Sequence, residues 1–298
     1  MVHLRIHNPN SRVVRTSLPQ GYSSPAAPYC HDNKRQIQPP PPPSCWNAYR
    51  TSSKCAANML LPLAGDLCAL ALTSCYALGL LRLFEETAKR GLFKQMLNRK
   101  LLHITFGLGF MLFWPLFSSG IQGAAMAALV PGVNIVKVLL IGLGVVKDEA
   151  TVKSMSRFGD YRELIKGPMY YAITITLCCA IYWRTSPVAI AGICNLCAGD
   201  GIADIIGRRF GKKKIPYNKD KSFAGSIAMA TAGFTVSVGY MYYFSMFGYV
   251  RTSFKMVLGF LVVSLVSALV ESHPICAKLD DNLLVPLASV LLGTLVFA

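Results

Sequence analysis

The sequence predicts an all-α, polytopic transmembrane bundle of seven or eight spans, and three observations carry that prediction. Of 298 residues 53% are hydrophobic and only 15% charged, a balance that suits lipid rather than water as solvent. Apolar runs of roughly 20 residues, the length that crosses a bilayer as a helix, recur along the chain. The charged connections between those runs fall on alternate turns of the chain, so that one face of the membrane collects nearly all of them. The simplest partition is a single membrane domain, residues 59–298, behind a different N-terminal segment, residues 1–58.

That segment carries Arg5, Arg12, Arg15, Lys34, Arg35, Arg50 and Lys54 against one acid, Asp32, with many serines and threonines. This is the composition of a transit peptide or of a disordered basic segment, and no apolar core suited to a secretory signal occurs in its first thirty residues. The run Pro39–Pro43 predicts extended, polyproline-like chain. Over the whole protein the formal charge is +16, yet the basic residues are dispersed between apolar runs without a nucleic-acid-binding motif. The charge therefore points to a membrane surface and to phosphate-bearing substrates. Cys68, Cys75, Cys178, Cys179, Cys194 and Cys197 lie within apolar runs and read as small core residues, not as a disulfide or zinc framework.

The expected spans are, in order, Leu60–Leu81, Leu101–Ser118, Ile121–Val146, Pro168–Trp183, Ser186–Ile206, Ser222–Phe247, Phe254–Val270 and Asn282–Phe297. Counting crossings places residues 82–100, 147–167, 207–221 and 271–281 on one face, and only short links near 119–120, 184–185 and 248–253 on the other. No internal repeat is visible, which speaks against a transporter built from repeated halves.

The densest chemistry lies in Asn195–Ser226, NLCAGDGIADIIGRRFGKKKIPYNKDKSFAGS. Asp200, Asp204, Gly207 and Gly211 are spaced to share one face of a helix, with two carboxylates suited to a metal. Arg208, Arg209, Lys212, Lys213, Lys214, Lys219 and Lys221 then meet a single acid, Asp220, around the helix breaker Pro216. Ser222–Ser226, with Gly225, should open the next helix, whose free N–H groups receive an anion. Carboxylates, lysines and a helix N-terminus are what phosphoryl transfer requires, since that chemistry is chiefly positioning and charge neutralisation. The competing reading is a basic loop that only sets topology. There is no Walker A spacing, no protein-kinase HRD or DFG set and no GxSxG elbow, so phosphate binding would use another device.

The segment GDGIADIIGRRFGKKKIPYNKDKSFAGS resembles the nucleotide-binding segment of the polyprenol kinase family, which includes dolichol kinase, and most closely its plant plastid branch of phytol and farnesol kinases. The resemblance runs from about Leu80 to the C-terminus. It implies a multi-pass chloroplast membrane enzyme that moves the γ-phosphoryl group of CTP, or of UTP or ATP, to phytol. The product, phytyl phosphate, would feed tocopherol biosynthesis from chlorophyll-derived phytol. No protein partner is implied, and the charged face would be stromal. Farnesol or geranylgeraniol kinase, a CTP-dependent lipid cytidylyltransferase and a non-enzymatic transporter are the alternatives.

The family pattern extends to NRKLLHITFG, with Arg99, Lys100 and His103, where phosphate contact or orientation competes with interface anchoring. In VPGVNIVK, relatives tend to have arginine at Lys137, and pairing with Asp66 is an equal structural alternative. SMSRFGDYRELIKGP, with Arg157, Asp160, Arg162, Glu163 and Lys166, reads as a supporting loop. In VESHPICAKLDDN, Glu271 and Asp281 would face Asp200 and Asp204 across a cleft, while Asp280 also suits a helix cap. The resemblance thus implies Asp200, Asp204 and Asp281 as Mg²⁺ ligands and one of Asp200, Asp281 or Glu271 as base. Gly201, Gly207, Arg208, Arg209, Gly211, Lys212, Lys213, Lys214, Lys219, Lys221, Ser222, Gly225, Ser226, Lys100 and His103 would hold the nucleotide.

Overall fold

The computed structural model describes residues 43–298, with side chains from Pro62 onward apart from those of Ala277 and Lys278. The chain is almost wholly helical. The helices are α1 (Pro43–Lys89), α2 (Gln95–Leu112), α3 (Ile121–Gly142), α4 (Glu149–Met155), α5 (Gly167–Leu177) and α6 (Pro187–Cys194), followed by α7 (Gly201–Phe210), α8 (Phe223–Met246), α9 (Phe254–Ser272), α10 (Pro274–Leu279) and α11 (Asp281–Val296). The expected N-terminal segment 1–58 lies mostly outside the described residues, and its expected boundary falls within α1.

Among the described residues six helical stretches are long and apolar enough to cross a membrane: Pro62–Lys89, Ile121–Gly142, Tyr161–Tyr182, Pro187–Phe210, Phe223–Met246 and Phe254–Ser272. The other two expected spans correspond to α2 and α11, which fall short for identifiable reasons. The first turns of α2 carry Asn98, Arg99 and Lys100, and α11 has 16 residues, about 24 Å of helix against a hydrocarbon core of about 30 Å. Both helices are polar at the end that carries the site.

The middle of the bundle is Pro187–Phe210, continuous because a π-helical segment, Asn195–Asp200, joins α6 to α7. Every residue from Val188 to Asp200 is buried, and α2, α8, α9 and α11 pack around it. π segments inside α-helices shift side-chain register locally and often mark functional sites. Here Asn195 donates from Nδ2 to the Ala191 carbonyl at 2.9 Å, and Gly233 on α8 leaves the room its side chain needs.

Helix starts follow the capping rules read from side-chain oxygens. Ser186, Ser222 and Ser253 accept from Val188, Gly225 and Met256 N–H groups, and Asp148 accepts from Thr151. At the end with few charges, the buried Arg184 guanidinium donates to the carbonyls of Trp114 (2.6 Å) and Phe117 (2.7 Å) and lies over the Tyr249 ring at 4.0 Å. That lock joins three short links and leaves the opposite end to hold the longer connections.

The basic loop holds one feature beyond the all-α expectation. Lys214–Ile215 and Asn218–Ser222 pair as a small antiparallel hairpin, β1 and β2, turning at Pro216 and Tyr217. Asn218 donates to the Ser272 carbonyl at 2.9 Å, and the Tyr217 and Ser272 hydroxyls lie 2.8 Å apart, so the hairpin is fastened to the end of α9.

Candidate active site

The floor of the site is where α2 crosses the start of α7. Lys100 and His103 are one turn apart on α2 and face the same neighbour. Lys100 Nζ donates to Asp200 Oδ2 at 2.6 Å with both side chains buried, and His103 Nε2 lies 3.5 Å from the same oxygen. His103 Nε2 is 2.9 Å from the Leu196 carbonyl, an acceptor only, which places a proton on that nitrogen. Its ring lies against Tyr171 at 4.2 Å, and the Tyr171 hydroxyl donates to the His103 carbonyl at 2.7 Å. Gly201 permits this crossing, because a Cβ there would land on Ile104 of α2.

Above the floor opens a polar cavity of about 570 Å³. Arg99, Lys100, Arg157, Lys166, Arg208 and Lys221 contribute cations to its wall, and Asp204, Asp220, Asp280 and Asp281 contribute carboxylates. Several of these pairs are loose: Arg157 Nη2 is 3.8 Å from Asp280 and 3.7 Å from Asp281, and Lys221 Nζ is 4.0 Å from Asp281. Lys221 is held more tightly by Glu271, and Arg208 meets Asp204 at 2.9 Å. Arg99 and Lys166 form no ion pair among the described residues. Burial pushes the Lys221 ammonium down, but the charges of Glu271 and Asp281 outweigh it and hold its pKa above the ordinary lysine value. Burial, then the charge of Asp281, pushes the Asp280 carboxyl up, while burial pushes the Cys276 thiol in the wall to about 12 and leaves it a poor nucleophile.

A bay of about 180 Å³ adjoins this cavity through Asp204, Arg208, Asp220 and Lys221. Lys214, Gly207, Gly225, Ser222, Ser226 and Glu271 also line it. It is the N-terminus of α8, where the Ser226 hydroxyl is buried without a partner. Of the first N–H groups of α8, Phe223 donates to the Lys213 carbonyl and Gly225 to the Ser222 hydroxyl; the remaining helix-start donors and the unpaired Ser226 hydroxyl suit an anion.

Of the sequence candidates, the structure brings Asp204, Asp281, Arg208, Lys221 and Lys100 into the main cavity and Gly207, Lys214, Ser222, Gly225, Ser226 and Glu271 into the bay. Asp200 lies beneath Lys100, outside both walls. Arg209, Lys212, Lys213 and Lys219 are exposed and line neither space. Gly201 serves helix crossing, and a Cβ on Gly211 would strike the Gly207 carbonyl and the Ser222 hydroxyl, so both glycines are packing residues here. Lys137 does not pair with Asp66. It meets Asp148 at 3.3 Å and Glu85 at 3.9 Å, whereas Asp66 accepts from the Ser118 N–H at 2.6 Å midway along α1. The step from Asp66 to Glu85 spans about 28 Å of helix, so one lysine cannot reach both.

Arg157 and Lys166, read from the sequence as part of a supporting loop because mixed charge in a loop ordinarily means solvation, line the wall of the main cavity.

Among the described residues no three His, Cys, Asp or Glu side chains gather closely enough to enclose a metal on their own. Asp204, Asp280 and Asp281 nonetheless present hard oxygen donors to one cavity. That donor set fits Mg²⁺, which binds through one or two carboxylates and takes its remaining ligands from water and phosphate.

No family model matches the chain, and no solved structure matches it. Curated relatives do. The chain is 66% identical over 235 residues to a probable phytol kinase 3, chloroplastic, of Glycine max, covering 79% of this chain and 74% of that protein. It is 65% identical to a probable phytol kinase 2, chloroplastic, of Oryza sativa subsp. japonica, covering 79% and 77%. It is 63% identical over 232 residues to the farnesol kinase, chloroplastic, of Arabidopsis thaliana, covering 78% and 76%. Identity at this level over most of both partners means that the chain belongs to the polyprenol kinase family, in its plant chloroplast branch of phytol and farnesol kinases.

Proposed function

We propose that the protein is a prenyl-alcohol kinase of a chloroplast membrane, transferring the γ-phosphoryl group of CTP to phytol, with UTP and ATP as the other candidate donors. The observation that carries this reading is the contact between two unlike spaces at Arg99. That residue lines the polar cavity and also an apolar cavity bounded by Leu81, Leu102, Phe106, Met155 and Tyr171. A charged triphosphate and an isoprenoid alcohol are the pair of substrates that such neighbours suit.

In this reading Arg157, Lys166, Arg208 and Lys221 bind triphosphate oxygens, and the start of α8 with Ser226 receives one phosphate group. Mg²⁺, held by Asp204 and Asp281 with help from Asp280, would neutralise charge on the triphosphate. Lys100 pairs with Asp200 and holds its carboxyl beside His103, which lines the apolar cavity. As the alcohol oxygen bonds to the γ-phosphorus and the bridging oxygen departs with the nucleoside diphosphate, the hydroxyl proton passes to this His103–Asp200 pair or to Asp281.

A farnesol kinase is the second reading, favoured by the 63% identity to a protein of that name. The test uses full-length protein in membranes of a host without the activity, γ-labelled CTP, and phytol, farnesol or geranylgeraniol. Label is expected in a prenyl phosphate, and the preferred alcohol separates the two readings. Release of pyrophosphate with the nucleotide retained on lipid would replace the kinase reading with a cytidylyltransferase.

A further inference from the structure

A groove of about 320 Å³ runs between α1 and α3, walled by Ser74, Leu78 and Leu81 on one side and Val133 and Asn134 on the other, with Phe106 of α2 at its base. Its rim faces outward, since Leu78 is 62% and Val133 67% exposed on a bundle that lipid surrounds. Two ties hold this stretch of α1. Asp66 accepts from the Ser118 N–H and hydroxyl, while Glu85 accepts from the Thr151 hydroxyl at 2.9 Å. The groove lies between those ties.

The groove's inner end shares Leu81, Phe106 and Asn134 with the apolar cavity beside Arg99. Three buried polar atoms on that cavity have no partner: Arg99 Nε, Asn134 Oδ1 and Asn282 Oδ1. Leaving a buried donor or acceptor unsatisfied costs about 1–3 kcal/mol, and three residues on one cavity that each carry such an atom are the feature a polar ligand group would relieve. A primary hydroxyl can accept at its oxygen from Arg99 Nε and give its one proton to one of the two amide oxygens.

We propose that the α1–α3 groove is the lateral entry and seat of the isoprenoid tail, with Asn134 at its neck and the hydroxyl received by Arg99 together with Asn134 or Asn282. This rests on the alcohol-kinase reading above and adds where the alcohol lies and what selects its length. The tail stays in contact with lipid while the hydroxyl reaches Arg99, whose other side borders the triphosphate cavity. Tail selectivity is then set by the rim of α1 and α3, far in sequence from the phosphate machinery.

The test compares Leu78→Trp and Val133→Trp, which fill the groove's mouth, with Leu265→Trp at a half-exposed position on α9 outside it. Each full-length variant, reconstituted in vesicles, is assayed with phytol and with the five-carbon alcohol prenol. Both mouth variants should lose roughly tenfold or more in kcat/KM for phytol while prenol phosphorylation stays within about twofold, and Leu265→Trp should change neither. Unchanged phytol kinetics in both mouth variants, as expected if an ordinary membrane lipid fills the groove, would overturn the assignment while leaving the kinase reading intact. If wild-type protein phosphorylates no alcohol, the kinase reading itself falls and the inference with it. Should the mouth variants fail to accumulate, a farnesol analogue with a photoreactive terminus decides on the wild type: crosslinks in α1 or α3 support the groove, and crosslinks confined to other helices reject it.

Discussion

Lys100 Nζ and Asp200 Oδ2, one hundred positions apart in sequence, meet at 2.6 Å with both side chains buried. A buried pair of this kind is held by its geometry, and removing one partner strands the other charge. The pair joins α2 to the π segment beneath the polar cavity, so it couples the position of His103 to that of α7.

Asp200→Asn and Lys100→Met are each expected to abolish turnover and to lower stability in detergent by about 3–5 kcal/mol. The double variant should recover much of the stability and none of the activity, because the stranded charge is gone but the His103 partner is not restored. Thermal unfolding alongside phosphorylation of phytol checks this; an active double variant would remove Asp200 from the mechanism.

Arg157 makes only loose ion pairs, with Asp280 and Asp281, and is free to turn to a phosphate. Arg157→Gln should raise the KM for nucleotide roughly tenfold while leaving the KM for the alcohol within about twofold. Lys212→Gln and Lys213→Gln, at exposed positions outside the cavity, should change either constant by less than about twofold.

If Asp281 is a metal ligand, Asp281→Asn should raise the Mg²⁺ concentration for half-maximal activity by roughly tenfold or more, and chelation should silence the wild type reversibly. The titration is read at saturating nucleotide. An unchanged Mg²⁺ requirement would leave Asp281 as a partner of Arg157 and Lys221 alone.

Gly201→Ala should cost about 1–3 kcal/mol through overpacking against Ile104, and should reduce turnover by displacing α2 with Lys100 and His103. Adding Ile104→Ala makes room for the new methyl and should restore activity. Recovery in the double variant identifies the defect as one of helix approach.

Lys137→Met removes a side chain that bridges Glu85, Asp148 and Thr151. We expect a stability loss of about 1 kcal/mol and turnover per folded molecule near that of the wild type, measured after normalising to monodisperse protein.

Much of the architecture is legible in the chain because lipid imposes a severe rule: charged residues must collect where helices leave the bilayer. That rule placed the connections holding Arg157, Lys221 and Asp281 at one surface before any contact was known. The helical spacing of Asp200 and Asp204 was equally legible, as was the cap at Ser222.

Only the tertiary structure decided which of those residues face the cavity. Asp200 and Asp204 share a helical face, yet Asp200 sits one turn deeper, about 6 Å, where α2 crosses over it and Lys100 covers it. The hairpin sets Lys214 and Lys221 in the wall of the bay and leaves Lys212, Lys213 and Lys219 outside both cavities, a division that composition cannot express. The partners of Lys137, the loose pairs of Arg157 and the unpaired atoms of Arg99, Asn134 and Asn282 are likewise products of helix packing. By itself the sequence determined which residues can leave lipid and what charges they bring; contacts between helices far apart in the chain decided how those charges meet, because periodicity defines a face and not its neighbour.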